Sequence, residues 1–388
     1  MLTVLADDIT GAAEIAGVCL RFGLSVTFDF DFNIQGLPAT DVWIIASDTR
    51  SLPEQEACDT VRKTARCLQE LQVRTVFKKI DSALRGHIVP EIKALQEYIP
   101  VEEAFILPAN PENGRIIREG NYYINEKPLH QTAFARDPDF PAKTASVRAL
   151  LQLTENNTQW LTPDIISPTD YKTYSLKIRQ GILPAGGSAF FEQYVLCHSA
   201  LDAELRSNRP DQSPENKRGM ADQVRHDNTY KATNLLMICG STHDNSRCFI
   251  RNDRQFQKIE IPRKEVQEYL YTDKSERFIR NAVSIFDKYK KLLLSVETGK
   301  ESAATASEVK RLLAKITQAL LSLCPVEELM IEGGATAYAC LQATGFSSLV
   351  PVKEYARGVV RLKISGKDNL FLTIKPGSYE WPEKIIRS

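Results

Sequence analysis

Along the first half of the chain, short apolar runs alternate with stretches whose apolar residues recur every three or four positions. "LTVLA" opens the series, and a helix is predicted from about Gly11 to Phe22. "LSVTFDF" and "DVWIIAS" follow, then a helix from about Pro53 to Leu71, "VRTVFKK", a helix from about Val89 to Ile99, and "AFILPA". Alternation of strand and helix on this scale implies parallel β-α-β units with helices on both faces of the sheet. Near-continuous apolar strands fit a sheet buried on both sides. A hairpin is predicted at "RIIREGNYYINEKPL", a helix from about Ala145 to Leu153, and a closing strand, small-residue turn and helix at "ILPAGGSAFFEQYV".

The pattern stops from Leu201 to Asn234, a polar, charged stretch poor in aromatic residues that reads as a linker or mobile insertion. A second series then begins with "NLLMICGS" and "FQKIEIP". It continues through a long helical stretch to about Tyr289, "KLLLSVET", a helix beginning near Thr305, "ELMIEGGATA", "VVRLKIS" and "LFLTIKPGS". Thr305 and Glu308 form a capping-box pattern ahead of Val309, Leu312, Leu313, Ile316 and Leu320, which share one helix face. The expectation is an α/β protein of two doubly wound, mostly parallel-sheet domains with the active site in the cleft between them. Its boundaries fall at 1–200 and 234–388, with the linker at 201–233.

A length of 388 residues agrees with two domains, and 43% apolar and 25% charged residues are the balance of a globular chain with ample core. Lys+Arg and Asp+Glu each number 49, so no excess charge draws the whole molecule to nucleic acid or to a membrane, and any basic site must be local. The eight cysteines form no C-x-x-C pair, and most sit in apolar stretches as small core residues. The opening "MLTVLADD" lacks a basic start and long apolar region, and no run of about 18 apolar residues occurs, so a reducing cytoplasm is expected.

In open α/β sheets the ligand lies beyond the carboxyl ends of the strands, which directs attention to the polar residues after each apolar run. In "ADDITGAAE", Asp7 and Asp8 stand at a strand end with a glycine at a helix start. A carboxylate there can orient a hydroxyl or a metal, or act as general base; helix capping by Asp8 or Thr10 explains the same residues. Ser47 and Asp48 follow the next run. In "KKIDSALRGH", Arg85 can take a carboxylate bidentately, Lys78 or Lys79 can add a point charge, and Asp81 or Ser82 can bind hydroxyls; a surface ion-pair cluster is the alternative. Gly86 and His87 complete that stretch, and Asn110 and Arg115 in "PANPENGRIIREG" can line the same cleft or form a plain turn. In the second half, "EGGATA" can aim the amides of Gly333 to Thr336 at an anion, with a helix dipole behind them. "CGSTHDNS" and "KPGS" offer two further close approaches of backbone.

Several standard sites are excluded by their motifs. "ETGKES" has Glu301 where a P-loop needs Ser or Thr and lacks the earlier glycine, and no G-x-G-x-x-G occurs. Ile9 stands where a haloacid-dehalogenase phosphatase would place its second acid. "GGSAF" around Ser188 lacks the closing glycine of a hydrolase elbow. The five histidines show no metal-ligand spacing, and only His87 sits inside a candidate site.

Taken in order, "LADDITGA", "KKIDSALRGH", "PANPENGRIIREGNYYINEKPLHQTAFARDPDFP", "EGGATA" and "LTIKPGS" resemble the four-carbon acid sugar kinase family. The resemblance is strongest from Met1 to about Leu153 and from about Leu329 to Ser378. It implies an ATP-dependent kinase acting on threonate, erythronate or 3-oxo-tetronate, with Mg²⁺ accompanying the nucleotide. The sugar acid would lie in the N-terminal domain and ATP in the C-terminal one. Carried over by position, the family's acidic motif falls on Asp7 and Asp8, and its basic motif on Lys78, Lys79, Asp81, Ser82, Arg85 and Gly86. Its nucleotide contacts fall on Ser241, Gly333, Gly334, Ala335, Thr336 and Gly377. The chain departs from the family's usual residues at Ala83, His87, Ala335 and the "CGSTHDNS" loop. Asp8 is expected to orient or deprotonate the acceptor hydroxyl, with Asp81 in reserve; the protein ligands of Mg²⁺ are not assigned. Partners would be the sugar acid and ATP, with no nucleic acid or membrane, and a homodimer is compatible with the pattern. Two other readings stay open: a non-catalytic sugar-acid sensor, and a nucleotide-dependent oxidoreductase lacking its glycine fingerprint.

Overall fold

The computed structural model describes residues 1–30, 36–137, 139–154, 156–198, 230–241, 244–297, 304–367 and 369–386. Most of the expected linker at 201–233 therefore lies outside the described residues, as do Thr242, His243 and the "ETGKES" loop beyond Glu297. The chain divides into two compact units, Met1–Gln212 and Ser213–Ser388.

The first unit is built on β1 (Leu2–Ala6), α1 (Ile9–Arg21), β2 (Val26–Asp29), β3 (Val42–Ala46), α2 (Glu54–Glu70), β4 (Val76–Lys79), α3 (Ile88–Gln96) and β5 (Glu103–Leu107). Then come an antiparallel meander of β6 (Arg115–Arg118), β7 (Asn121–Ile124) and β8 (Lys127–Pro128), α4 (Val147–Leu150), β9 (Trp160–Leu161), α5 (Asp170–Ser175), β10 (Ile182–Gly186) and α6 (Ser188–His198). The main sheet runs β2-β3-β1-β4-β10-β5-β9, every described pair parallel. Helices α1 and α6 pack on one face and α2 and α3 on the other. Phe77 of β4 meets Phe190, Phe191 and Tyr194 of α6, which anchors that layer. The helix expected from Ala145 to Leu153 is shorter, Val147–Leu150, ending where Gln152 takes a left-handed backbone.

Chain direction in this sheet fixes where a ligand can sit. From β1 the chain leaves towards β2 on one side, and from β4 it leaves towards β5 on the other, while β1 and β4 are neighbours paired Ala6 to Lys79. A crevice opens at such a reversal, outside the carboxyl ends of the strands. Asp7 and Asp8 follow one of these strand ends, and Ile80 to Arg85 follow the other.

The second unit repeats the plan. It holds β11 (Leu235–Cys239), α7 (Asp244–Asn252), β12 (Gln257–Ile261), α8 (Val266–Tyr271), α9 (Lys274–Tyr289), β13 (Lys291–Val296), α10 (Ala306–Leu323), β14 (Glu328–Glu332) and α11 (Gly334–Thr344). After these come β15 (Ser348–Ala356), β16 (Val359–Ile364), β17 (Phe371–Lys375) and α12 (Glu383–Ile386). Its strands run β12-β13-β11-β14-β17-β16-β15, parallel through β17 and antiparallel beyond. The reversal falls between β11 and β14, paired Cys239 to Glu332. Met237, Cys239, Leu293 and Met330 pack with Ile250, Phe256, Trp381 and Ile385 into one buried cluster.

The capping box at Thr305 and Glu308 is formed. The long helical stretch to Tyr289 is two helices, because Thr272 turns extended between them. Strand β15, which the pattern did not predict, carries Pro351 and register shifts; a proline removes a ladder donor and makes such a run read as loop. Among the described residues no helix is long and apolar enough to cross a membrane.

Candidate functional site

The crevice of the first unit is organised by charge. Asp8 is the N-cap of α1: its Oδ1 accepts from Gly11 N at 3.0 Å, and Thr10 donates its hydroxyl to Oδ2. The capping and functional readings of this stretch thus describe one carboxylate. Arg50, on the single turn after β3, grips Asp7 bidentately through Nε and Nη2, both at 2.9 Å, and its Nη2 also reaches Asp8 Oδ1 at 2.8 Å. Arg50 Nη1 lies 3.8 Å from Asp81. Asp81 in turn holds Arg85 bidentately, through Nε and Nη2 at 2.9 Å, and accepts from the Ala83 amide at 3.0 Å. Arg85 Nη1 reaches Asp137 Oδ2 at 3.3 Å.

The two lysines of "KKIDS" part company, because successive strand residues point to opposite faces. Lys79 turns towards α1, donating to Ile80 O at 3.0 Å and lying 3.8 Å from Glu14. Lys78 turns the other way and pairs with Glu91 of α3 at 2.7 Å, with 0% and 1% of the two side chains exposed. Ser82 receives Arg115 Nη1 on its hydroxyl and Tyr122 OH on its carbonyl. Phe134 lies under both guanidinium groups, 5.4 Å from Arg85 and 5.7 Å from Arg115. Gly86 lies against Asp7 and Arg50. His87 hydrogen-bonds Leu52 O at 2.8 Å through Nε2, and its ring meets Phe140. Asn110 pairs its backbone with Arg115.

Arg50, Tyr122, Phe134 and Asp137 were not singled out from the sequence. Arg50 carried a signal: it stands four residues after an apolar strand, the same place that marked Asp81. The other three come from the meander and the turn after it, so only the folded chain brings them to the crevice.

Burial opposes charge on Asp8, but Arg50 and Lys79 outweigh it and hold the carboxyl below the usual carboxylate range. At Asp81 burial is likewise overcome, by Arg85 and then Arg50, and the carboxyl lies well below that range. Both groups therefore bind protons less readily in the folded chain than in the unfolded one. The stability they contribute is complete above the ordinary aspartate value of 3.8 and is lost as pH falls below it. The thermal midpoint of the first unit is expected to hold from neutral pH to about 5 and to fall steeply below about 4, read by circular dichroism across a pH series. A midpoint flat through that window would show the carboxylates to be unpaired in solution.

In the second unit the crevice is lined by backbone. Gly333 is the N-cap of α11 with φ 99° and no side-chain cap, so the first-turn amides of Gly334, Ala335 and Thr336 lack intrahelical acceptors. A Cβ at Gly240 would overlap Thr336 Oγ1 and lie 2.8 Å from Thr336 Cβ; one at Gly377 would overlap Ser241 Oγ. Ser241, Thr336 and Gly377 are thus drawn together. Beneath them Glu332, 0% exposed, accepts from Lys375 Nζ at 3.3 Å, from Trp381 Nε1 at 2.9 Å and from the Ser246 hydroxyl. One buried carboxylate therefore ties together the loops after β11, β14 and β17. Burial pushes the Glu332 carboxyl up, against the pull of Lys375, and pushes Lys375 down.

Side-chain-free backbone and unfilled helix amides are the donor set that suits a polyphosphate, so these residues fit a nucleotide. No protein-only cage for Mg²⁺ is present among the described residues, where no three His, Cys, Asp or Glu side chains gather and Asp7, Asp8 and Asp81 are engaged by arginines; the phosphates of a bound nucleotide would supply most of its ligands.

Two family models match the chain: a sugar-binding N-terminal domain over residues 2–174 and a nucleotide-binding C-terminal domain over 239–379. The D-threonate kinase of Bordetella bronchiseptica is 30% identical over 154 residues, 38% of this chain and 38% of that protein. The chain thus spans well under half the length of that relative. The 3-oxo-tetronate kinase of Burkholderia multivorans is 24% identical over an alignment covering 100% of this chain and 97% of that one. A crystal structure from Salmonella typhimurium superposes with a TM-score of 0.75 at 17% identity, covering 100% of this chain and 98% of the other. One from Haemophilus influenzae gives 0.65 at 19% with the same coverage, and both show the fold alone. Together the two models account for most of the sequence, in the order its motifs require: the chain belongs to the four-carbon acid sugar kinase family.

Proposed function

We propose that the protein transfers the terminal phosphoryl group of ATP to a hydroxyl of a four-carbon sugar acid of the threonate, erythronate or 3-oxo-tetronate type. The observation that carries this reading is the start of α11 at the strand reversal of the second unit, where Gly333 offers no side-chain cap and the first-turn amides of Gly334 to Thr336 lack intrahelical acceptors, while Gly240 and Gly377 let Thr336 and Ser241 pack close beside them. The first unit supplies the acceptor's surroundings, and transfer requires the acceptor hydroxyl and the terminal phosphate to meet with water excluded. Asp8 accepts a hydrogen bond from the acceptor hydroxyl and holds it in line with the phosphorus. Because Asp8 is held below the usual carboxylate range, it is a weak base in the resting site, and its part is orientation first and proton uptake as the bond to phosphorus forms. Asp81 keeps Arg85 in place. The amides of Gly334 to Thr336 and the Ser241 hydroxyl hold the phosphates. Mg²⁺, arriving with the nucleotide, would neutralise phosphate charge.

The test is an ADP-release assay over a panel of four-carbon acids, neutral polyols and amino acids. ADP released in step with one or more of the four-carbon acids is the expected result. Acid binding with no ADP above background would assign the chain to sensing instead. Gly240→Ala tests the cradle. Overpacking at such a contact costs about 1–3 kcal/mol, so the KM for ATP should rise about 10–100-fold with little change in the KM for the acid. An unchanged KM for ATP would place the phosphates elsewhere.

A further inference from the structure

We infer that Arg115 receives the carboxylate of the acid substrate and Asn110 a neighbouring hydroxyl, while Arg50 and Arg85 serve as internal counter-ions. This rests on the proposed sugar-acid reading and assigns its recognition to two residues.

The inference follows from where each cation of the crevice is spent. Arg50 has Asp7 on two of its nitrogens and Asp8 on one of them, with Asp81 near the third. Arg85 has Asp81 on two nitrogens and Asp137 on the third. Lys78 is sealed in the core on Glu91, and Lys79 is buried beside Glu14. A substrate carboxylate approaching any of these would have to displace a carboxylate the protein already supplies. Arg115 is different. Among the described residues no carboxylate is hydrogen-bonded or ion-paired to its guanidinium, and Asp81 feels it only from beyond that range; it donates to the Ser82 hydroxyl and lies over the Phe134 ring, which fixes its plane and leaves nitrogen donors unspent. A planar fork held this way is the group that takes a carboxylate through two parallel hydrogen bonds.

Asn110 supplies the second, independent sign. Its side chain is 7% exposed, yet its Oδ1 has no hydrogen-bond partner, and a buried polar atom left unsatisfied in a native fold asks for one. Asn110 and Arg115 exchange both backbone hydrogen bonds, at 2.8 and 3.0 Å, across the turn Pro111–Gly114. Residues directly opposite in such a pair project to the same face, so the amide and the guanidinium leave the backbone side by side. A carboxylate on Arg115 with a hydroxyl on the adjoining carbon donating to Asn110 Oδ1 satisfies both groups at once. The matching ligand is a short 2-hydroxy acid.

Calorimetric titration without ATP tests the assignment, using a four-carbon 2-hydroxy acid found to bind and its uncharged carboxamide. The unchanged chain should bind the acid about tenfold or more tighter than the amide. Arg115→Met should erase that preference, and Arg115→Lys should keep part of it. Asn110→Ala should weaken acid and amide alike by about fivefold or more. If Arg115→Met does not fold, judged by its thermal midpoint, Arg115→Lys decides alone: an undiminished preference for the acid overturns the assignment, as would a preference that survives Arg115→Met. Discrimination through Arg115 in a chain that transfers no phosphoryl overturns the kinase reading alone. Phosphorylation of the acid with the preference intact in Arg115→Met overturns this inference alone.

Discussion

Asp8→Asn is expected to lower kcat by about 10²–10⁴-fold, the range a positioned acid–base group supplies, with the KM for ATP unchanged. The substitution keeps the size of the side chain, and asparagine caps a helix as well as aspartate does, so α1 stays anchored through Gly11 N. Arg50 keeps its bidentate hold on Asp7. What is lost is the ionised oxygen between Arg50 and Lys79 that, in the proposed reaction, aligns the acceptor hydroxyl and takes its proton. Steady-state kinetics with the best acid of the panel checks this. A kcat within about threefold of the unchanged chain would remove Asp8 from the chemistry, since even the low end of acid–base catalysis exceeds that.

The second large effect is on stability. Lys78→Met should destabilise the first unit by about 3–5 kcal/mol, because it leaves Glu91 buried without its ammonium partner. That is a large share of the stability of an ordinary domain. Lys78→Met combined with Glu91→Leu should recover most of the loss, since apolar residues of similar volume replace a buried pair at little cost. Urea unfolding of the three variants, followed on the first unit, measures both. If the double variant is as unstable as the single one, the pair does more than neutralise itself, and the packing of α3 on β4 depends on that ion-pair contact.

Much of this was legible in the sequence because buried parallel strands are short apolar runs and their carboxyl ends carry the chemistry. Asp7, Asp8, Asp81, Ser82 and Arg85 were found by that rule, and the fold gathers them at one strand reversal. What stayed hidden has physical reasons. Lys78 and Lys79 are adjacent in sequence, yet the pleat sends them to opposite faces, a separation a motif read as one cluster cannot make. Arg50 stood at a strand end but on a single turn of helix, beside Ser47 and Asp48, which drew attention first. Phe134 and Asp137 act on Arg85 from about fifty residues away, through a meander whose tight turns at Glu119–Gly120 and Asn125–Glu126 set where the segment returns. Glu332 and Lys375 close two apolar strands, where the sequence pattern marks only the start of loops. Only the sheet register shows that they meet.

The loops of the second unit carry more in the fold than in their motifs. "EGGATA", "CGS" and "KPGS" each look like an ordinary turn, and a glycine pair alone carries little information. Their meaning lies in the overlap that any Cβ at Gly240 or Gly377 would cause with Thr336 or Ser241. Glu332 joins the same three loops from below.

Phosphorus NMR of the complete reaction tests phosphoryl transfer most directly. With ATP, Mg²⁺ and a four-carbon sugar acid, the expected spectrum gains the signals of ADP and of a new phosphate ester in equal amounts, and with Asp8→Asn both grow at least about a hundredfold more slowly. ATP that stays intact across the whole acid panel, or that yields inorganic phosphate at one rate with and without acid, would contradict transfer to a sugar-acid hydroxyl.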